Sequence, residues 1–170
     1  MSSMILCTDE NNGIGINNTI PWHSKADFQH FKAETEGKMV IMGYKTWESL
    51  PKKPLPGRLN VVLLSRNLTE RTDADKNQNV IFLPEHVLPT LIRYNPDCVV
   101  IGGATIYRRA ISMVDTVILS KVKGTYECDT FFDIHSDSTV HLELGLVKAL
   151  DDGTIVEYWN SYTNDIDWSE

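Results

Sequence analysis

An acid three places after a hydroxyl residue opens the chemistry of this chain. The stretch runs Ile14-Gly15-Ile16-Asn17-Asn18-Thr19-Ile20-Pro21-Trp22-His23-Ser24-Lys25-Ala26-Asp27-Phe28-Gln29-His30-Phe31. Ser24 followed by good helix formers and then Asp27 is a helix-start signal. Asp27 can therefore simply close a capping box, a contribution of about 0.5–2 kcal/mol. It can also bind a ligand or handle a proton. On a period of about 3.6 residues Asp27 shares a face with Phe31 and lies beside Phe28. That sets the carboxylate along an apolar edge, next to Trp22 and a glycine-punctuated loop, where burial raises a carboxylate's pKa. The spacing is compatible with both roles.

Three further stretches suit ligand chemistry. Gly43-Tyr44-Lys45-Thr46-Trp47 stands where an apolar run gives way to a helix. Backbone donors at such a start attract phosphate, and Lys45 and Thr46 add a charge and a hydroxyl. Ser65-Arg66, after the next strand, can lie beside the same turn. The plain alternative is an ordinary strand-to-helix turn with Trp47 in the core. Ile101-Gly102-Gly103-Ala104-Thr105-Ile106-Tyr107 places adjacent glycines after another apolar run, so that backbone can approach a ligand closely. It is not the G-x-G-x-x-G fingerprint, and no acid stands about 20 positions later in the expected role, which disfavours a Rossmann dehydrogenase. In Pro54-Leu55-Pro56-Gly57-Arg58-Leu59-Asn60 the prolines fix an extended loop, Gly57 turns it and Arg58 is presented beside the next strand. Arg suits a bidentate grip on a carboxylate, although a lone exposed Arg is commonly only a solubilising group.

Ile14-Gly15, Pro21-Trp22, Asp27, Phe31 and the Ile-Gly-Gly turn followed by small-x-x-Tyr together resemble the dihydrofolate reductase family, over about residues 4–162. The resemblance implies reduction of 7,8-dihydrofolate by NADPH, with hydride transfer from the nicotinamide and protonation of the pterin imine nitrogen. It implies that Asp27 is catalytic, with Trp22 and with Ser120, which occupies the place of a hydroxyl residue that hydrogen-bonds the pocket acid. Ile5, Cys7, Phe28, Phe31 and Ile101 would line the pterin site, Leu50 and Leu55 would flank the aminobenzoyl ring, and Arg58 would pair with the glutamate carboxylate. For the cofactor it implies Gly43, Lys45, Thr46, Leu64, Ser65 and Arg66 towards the adenosine 2′-phosphate. Gly102, Gly103, Ala104, Thr105, Ile106 and Tyr107 would follow towards the nicotinamide, with a cis Gly102–Gly103 bond, and Ile14 and Ile20 would come from the closing loop. Tyr44 stands where a basic residue is common in the family, which leaves Lys45 and Arg66 as the basic partners. Asp129-Thr130, with Phe132, resembles the loop that meets the Gly15 loop on closure. Two rivals remain: an NADPH enzyme acting on a flavin-pathway pyrimidine, which needs a ribose-phosphate grip in place of Arg58, and a folate- or nucleotide-binding subunit without turnover.

These residues need elements to hold them. Short runs rich in Val, Ile or Leu predict strands over 4–7, 39–42, 60–64, 80–83 and 98–101. Between them the patterning predicts helices over 24–36, 44–50, 88–94 with Pro89 in the first turn, and 105–111. Segment 116–122 reads differently, and 143–150 and 154–162 flank the turn signal Asp151-Asp152-Gly153. The expectation is an α/β fold: a single domain over 1–163, a central mostly parallel sheet flanked by helices, and a C-terminal antiparallel hairpin. Segment 65–79 reads as a surface excursion and 164–170 as a loose tail. The 170 residues suffice for one core. A net charge of −7 without a basic run longer than two residues argues against a nucleic-acid or anionic-membrane partner. Cys7, Cys98 and Cys128 are odd in number and lack metal-ligand spacing, so no metal is expected and a reducing cytosol is. Neither a leader nor a run of about 18 apolar residues appears, and a cytoplasmic monomer is the expectation.

Overall fold

Alternating side chains divide a buried sheet into two faces, and the computed structural model, which describes residues 1–65 and 79–163, shows which face each strand residue serves. Met4, Leu6, Ile41, Val61, Leu63, Val100, Val117 and Leu119 pack on one side. Ile5, Val40, Met42, Val62, Val99, Ile101 and Ile118 pack on the other. The strands that carry them are β1 (Ser3–Thr8), β3 (Met39–Gly43), β4 (Leu59–Leu64), β6 (Val99–Gly102) and β7 (Thr116–Lys121). With β5 (Val80–Pro84), β9 (Val140–Ala149) and β10 (Ile155–Thr163) they form an eight-stranded sheet in the order β5-β4-β3-β6-β1-β7-β10-β9. The first six of these are mutually parallel, while β10 runs antiparallel to both β7 and β9. The α/β architecture, the parallel sheet and the C-terminal hairpin are thus as expected.

Helices cover both faces. α1 (Lys25–Thr35) and α2 (Tyr44–Ser49) bring Phe31, Tyr44 and Trp47 onto the Ile5 face. α3 (Leu88–Tyr94) and α4 (Ala104–Ala110) bring Leu88, Ile92, Ile106 and Ala110 onto the Met4 face. Pro89 falls in the first turn of α3, where its missing N–H costs nothing. A two-stranded piece, β2 (Gly13–Gly15) with β8 (Thr130–Phe131), was not expected as strand, because segments of three and two residues carry no readable alternation. Apart from Ser65 and Asn79, the excursion at 65–79 lies outside the described residues, and so do the expected tail and Arg66.

The order of strands places the site. β6 lies between β1 and β3. The chain leaving β3 runs outward to β4 and β5, whereas the chain leaving β6 crosses β1 to reach β7. Such a switch opens a crevice at the carboxyl ends of the strands, and ligands of open α/β sheets bind there. Cys7, Gly43 and Gly102 stand at or next to those ends. Among the described residues no helix is long and apolar enough to cross a membrane.

Candidate active site

The acid stands where helix start and sheet end meet. Ser24 is the N-cap of α1, and its hydroxyl accepts a hydrogen bond from the Asp27 amide at 3.0 Å. The capping role is therefore real, and it does not use up the Asp27 carboxylate, which receives the thiol of Cys7. The Trp22 side chain bonds the same sulphur. Burial pushes the Cys7 thiol far up, the Asp27 charge and its hydrogen bond push it further, and Trp22 opposes them only in part. Cys7 is thus a neutral donor at the floor of the pocket rather than a nucleophile. Trp22 is buried, with its ring 5.3 Å from that of Tyr126. One turn along α1, His30 is buried edge-on to Tyr158, and burial lowers its pKa and keeps the imidazole neutral.

Ser120 does not play the expected part. It faces Cys7 across the β1–β7 register, and its hydroxyl is buried with no hydrogen-bond partner among the described residues. On this side the Cys7 thiol is the partner of the carboxylate. Arg58 is likewise not presented to solvent: it is only 7% exposed, its Nε donates to the Pro56 carbonyl at 2.9 Å and its Nη1 to Thr35 Oγ1 at 3.0 Å. One bond holds the fork to its own loop and the other to the end of α1, and they leave its remaining N–H groups for a ligand. Ile5, Phe31, Leu50, Leu55 and Ile101 all pack on one sheet face, the face of α1. Phe28 is exposed and tilted against His23 at 5.6 Å.

The two glycine turns, separate in sequence, form one surface. A Cβ on Gly102 would lie 3.1 Å from Tyr107 Oη and 3.5 Å from Thr46 Oγ1, and one on Gly103 would lie 3.5 Å from the same Thr46 oxygen. A Cβ on Gly43 would meet Ile106 at 3.2 Å. Side-chain-free backbone at both strand exits, with the Thr46 hydroxyl between them and Lys45 exposed alongside, fits a dinucleotide laid across β3 and β6. The Gly102–Gly103 bond is cis, and Gly102 has φ +125°. Tyr107 is buried, and its hydroxyl bridges the carbonyls of Ile5 at 2.7 Å and Ile101 at 2.9 Å. Burial raises its pKa, and Cys7 and Asp27 raise it further, so the hydroxyl stays protonated and joins the acid's surroundings to the glycine turn. Ala104 and Thr105 open α4, and Leu64 ends β4 with Ser65 directly after it.

A loop bridges these two halves. The Asn17 amide donates to Asp129 at 3.0 Å, the Asp129 amide to the Gly15 carbonyl at 2.9 Å, and the Asn18 side chain to the Lys45 carbonyl at 2.9 Å. Ile14 is half-buried under it, and Ile20 is 53% exposed. The root of the loop is Asp9, which was not singled out from sequence. It is 2% exposed and accepts from the amides of Asn11, Gly13 and Tyr126. Desolvation raises its pKa, and the three amides together outweigh that and hold it below the usual value. The stretch Asp9-Glu10-Asn11-Asn12-Gly13 could have been read as a side-chain-closed turn from Asp9 to Asn11.

Comparison with known proteins bears on the same residues. A family model described as Dihydrofolate reductase matches residues 1–144. Segregation and condensation protein A of Mycoplasmoides gallisepticum is 32% identical over 166 residues, which are 96% of this chain and 26% of that protein, so the chain spans about a quarter of that relative. The dihydrofolate reductase of Neisseria meningitidis is 40% identical over 130 residues, covering 76% of this chain and 77% of that one. Among solved structures, dihydrofolate reductase from Enterococcus faecalis complexed with NADP(H) and RAB-propyl superposes with a TM-score of 0.70, at 26% identity over 97% of both chains. With an acid and a tryptophan meeting Cys7 at one side of the switch-point crevice and paired glycines at the other, on a fold matched over almost its whole length, the chain belongs to the dihydrofolate reductase family.

Proposed function

We propose that the chain reduces 7,8-dihydrofolate to 5,6,7,8-tetrahydrofolate with NADPH, and that Asp27 is the acid that holds the pterin. The observation that carries this reading is the tying of β1 to the glycine turn through Tyr107, whose hydroxyl bonds the backbone of Ile5, two residues before Cys7, and of Ile101, next to Gly102. Asp27 accepts hydrogen bonds from the pterin ring and its amino group. Its charge favours protonation of the neighbouring imine nitrogen, with solvent delivering the proton. Cys7 keeps its proton and steadies the carboxylate from below. Trp22 and the loop over 14–20 exclude water from the face where transfer occurs. NADPH, when bound, supplies the hydride. Gly43, Lys45, Thr46 and Ser65 take its adenosine end, together with Arg66, and Gly102 to Tyr107 take the rest. Ile5, Phe28, Phe31 and Ile101 wall the pterin, Leu50 and Leu55 the aminobenzoyl ring, and the free N–H groups of Arg58 meet the glutamate carboxylate. The enzyme works as a monomer in a reducing cytosol, the compartment being supported by its three free cysteines. The test is the loss of NADPH absorbance on mixing with dihydrofolate. Turnover requiring both compounds is the expected result, and none with dihydrofolate, or equal turnover with a flavin-pathway pyrimidine, overturns the reading.

A further inference from the structure

Ser24 has two partners, and only one of them belongs to α1. Besides accepting from the Asp27 amide, its hydroxyl donates to Oδ2 of Asp152. Asp152 lies in the turn between β9 and β10, 125 residues along the chain from Asp27 and beyond the segment matched by the family model. Its other oxygen accepts from the Thr154 amide at 3.0 Å, and Thr154 is itself buried, so the carboxylate is held at both ends. A hydroxyl carries one proton. Once that proton is committed to Asp152, a lone pair of Ser24 is fixed on the Asp27 amide, and the first turn of α1 has one orientation.

We propose that Asp152 is a positioning residue for the reductase site: acting through Ser24, it sets the direction from which the Asp27 carboxylate enters the pocket. This rests on the role given to Asp27 above. The charge of Asp152 also reaches the floor of the site, since it adds to the upward push on the Cys7 thiol behind burial and Asp27. Two other charges stand at this turn: Asp151 beside Asp152, and Lys123, whose Nζ lies 2.8 Å from where a Cβ on Gly153 would stand. Asp152 is thus a second carboxylate near the pterin acid, supplied by the hairpin rather than by α1.

The test compares Asp152→Ala, which removes the acceptor and the charge, with Asp152→Asn, which restores an acceptor oxygen without the charge. Three measurements separate the roles. Hydride transfer in single turnovers at saturating NADPH and dihydrofolate should fall about three- to tenfold in Asp152→Ala and recover to within about twofold in Asp152→Asn, with KM for NADPH unchanged. The pH at half-maximal rate should move down in both variants, because both lose a negative charge near the protonation site. Hydrogen exchange of the Asp27 amide should quicken in Asp152→Ala and return in Asp152→Asn, a readout that needs no turnover. In a Ser24→Ala background, Asp152→Ala should add nothing to the loss of the pH-independent rate, because its route is gone, and only the shift of the half-maximal pH should remain. Unchanged exchange and rate in Asp152→Ala overturn the proposal, and so do equal losses in the Ala and Asn variants with equal falls in melting temperature. If exchange responds as stated in the two variants but the wild-type protein does not reduce dihydrofolate, the reductase reading is refuted and the Ser24–Asp152 link is not.

Discussion

Asn in place of Asp27 keeps an oxygen for the Cys7 thiol and leaves the Ser24 cap on the backbone amide untouched, so shape and stability survive while the charge is lost. Hydride transfer to dihydrofolate near neutral pH should drop by about 10²–10³-fold, the usual cost of deleting a charge-stabilising group. It should partly recover at low pH, where solvent protonates the substrate. Stopped-flow rates across pH check this, and a rate like the wild type's at pH 7 would return Asp27 to capping alone. Arg58 is a different case, because it holds Pro56 and Thr35 as well as any ligand. Arg58→Leu should weaken dihydrofolate binding about ten- to a hundredfold, since a charge-assisted bond is worth about 1.5–3 kcal/mol. It should also lower the melting temperature, because the Pro56 carbonyl loses its donor. A lipophilic diaminopyrimidine inhibitor without a glutamate tail separates the two effects in a titration: it should lose little affinity if the guanidinium grips carboxylate, and as much as dihydrofolate if Arg58 only braces its loop. For the cofactor, removing the charges of Lys45 and Arg66 together should raise KM for NADPH much more than for NADH, since only the former carries the 2′-phosphate dianion.

The loop over 9–20 depends on one buried acid. Asp9→Asn keeps the volume of the side chain but weakens three amide acceptor bonds at once. Exchange of the Gly13 and Tyr126 amides should quicken and steady-state turnover should slow, because the loop loses its root. The pH dependence has a definite sign. The folded pKa of Asp9 lies below its ordinary value of 3.8, so its contribution is fully present above that value and is lost as pH falls through the folded pKa. The gap in melting temperature between wild type and Asp9→Asn should therefore be constant above about pH 5 and close in stronger acid. The major elements were legible in advance: buried strands write themselves as unbroken Val, Ile and Leu runs, and α1 announces its start with Ser24 and Asp27. What escaped was set by tertiary contacts between short or polar segments. Gly13 is confined because a Cβ there would lie 2.5 Å from Cys128 Sγ, which is 115 positions away in the chain. The burial of Arg58 and the replacement of Ser120 by Cys7 as partner of Asp27 depend in the same way on side chains brought together by the fold.

Across the molecule, β10 serves as a neighbour to β7 and as a wall for α1. Val156 is fully buried, and the Tyr158 ring stands against His30 while its hydroxyl donates to Glu34 at 2.7 Å. A chain stopped after residue 144 should therefore fail to fold cooperatively. Far-UV circular dichroism and solubility would show it, and a soluble fragment with a sharp melt would mean that the hairpin is dispensable. The insertion of β6 beside β1 has a consequence for how the protein is made. The Ser3 amide bonds the Cys98 carbonyl and the Asp115 amide bonds the Ser2 carbonyl, so β1, translated before β6 and β7, must wait for its neighbours. At about 5–20 residues per second that wait is on the order of 5–20 seconds. Throughout it Met4, Ile5 and Leu6 travel as an unpaired apolar segment, open to chaperones and to other nascent chains on the same message. Since Asp152 is translated later still, an inhibitor present during synthesis finds no finished pocket to stabilise until the last hairpin has emerged.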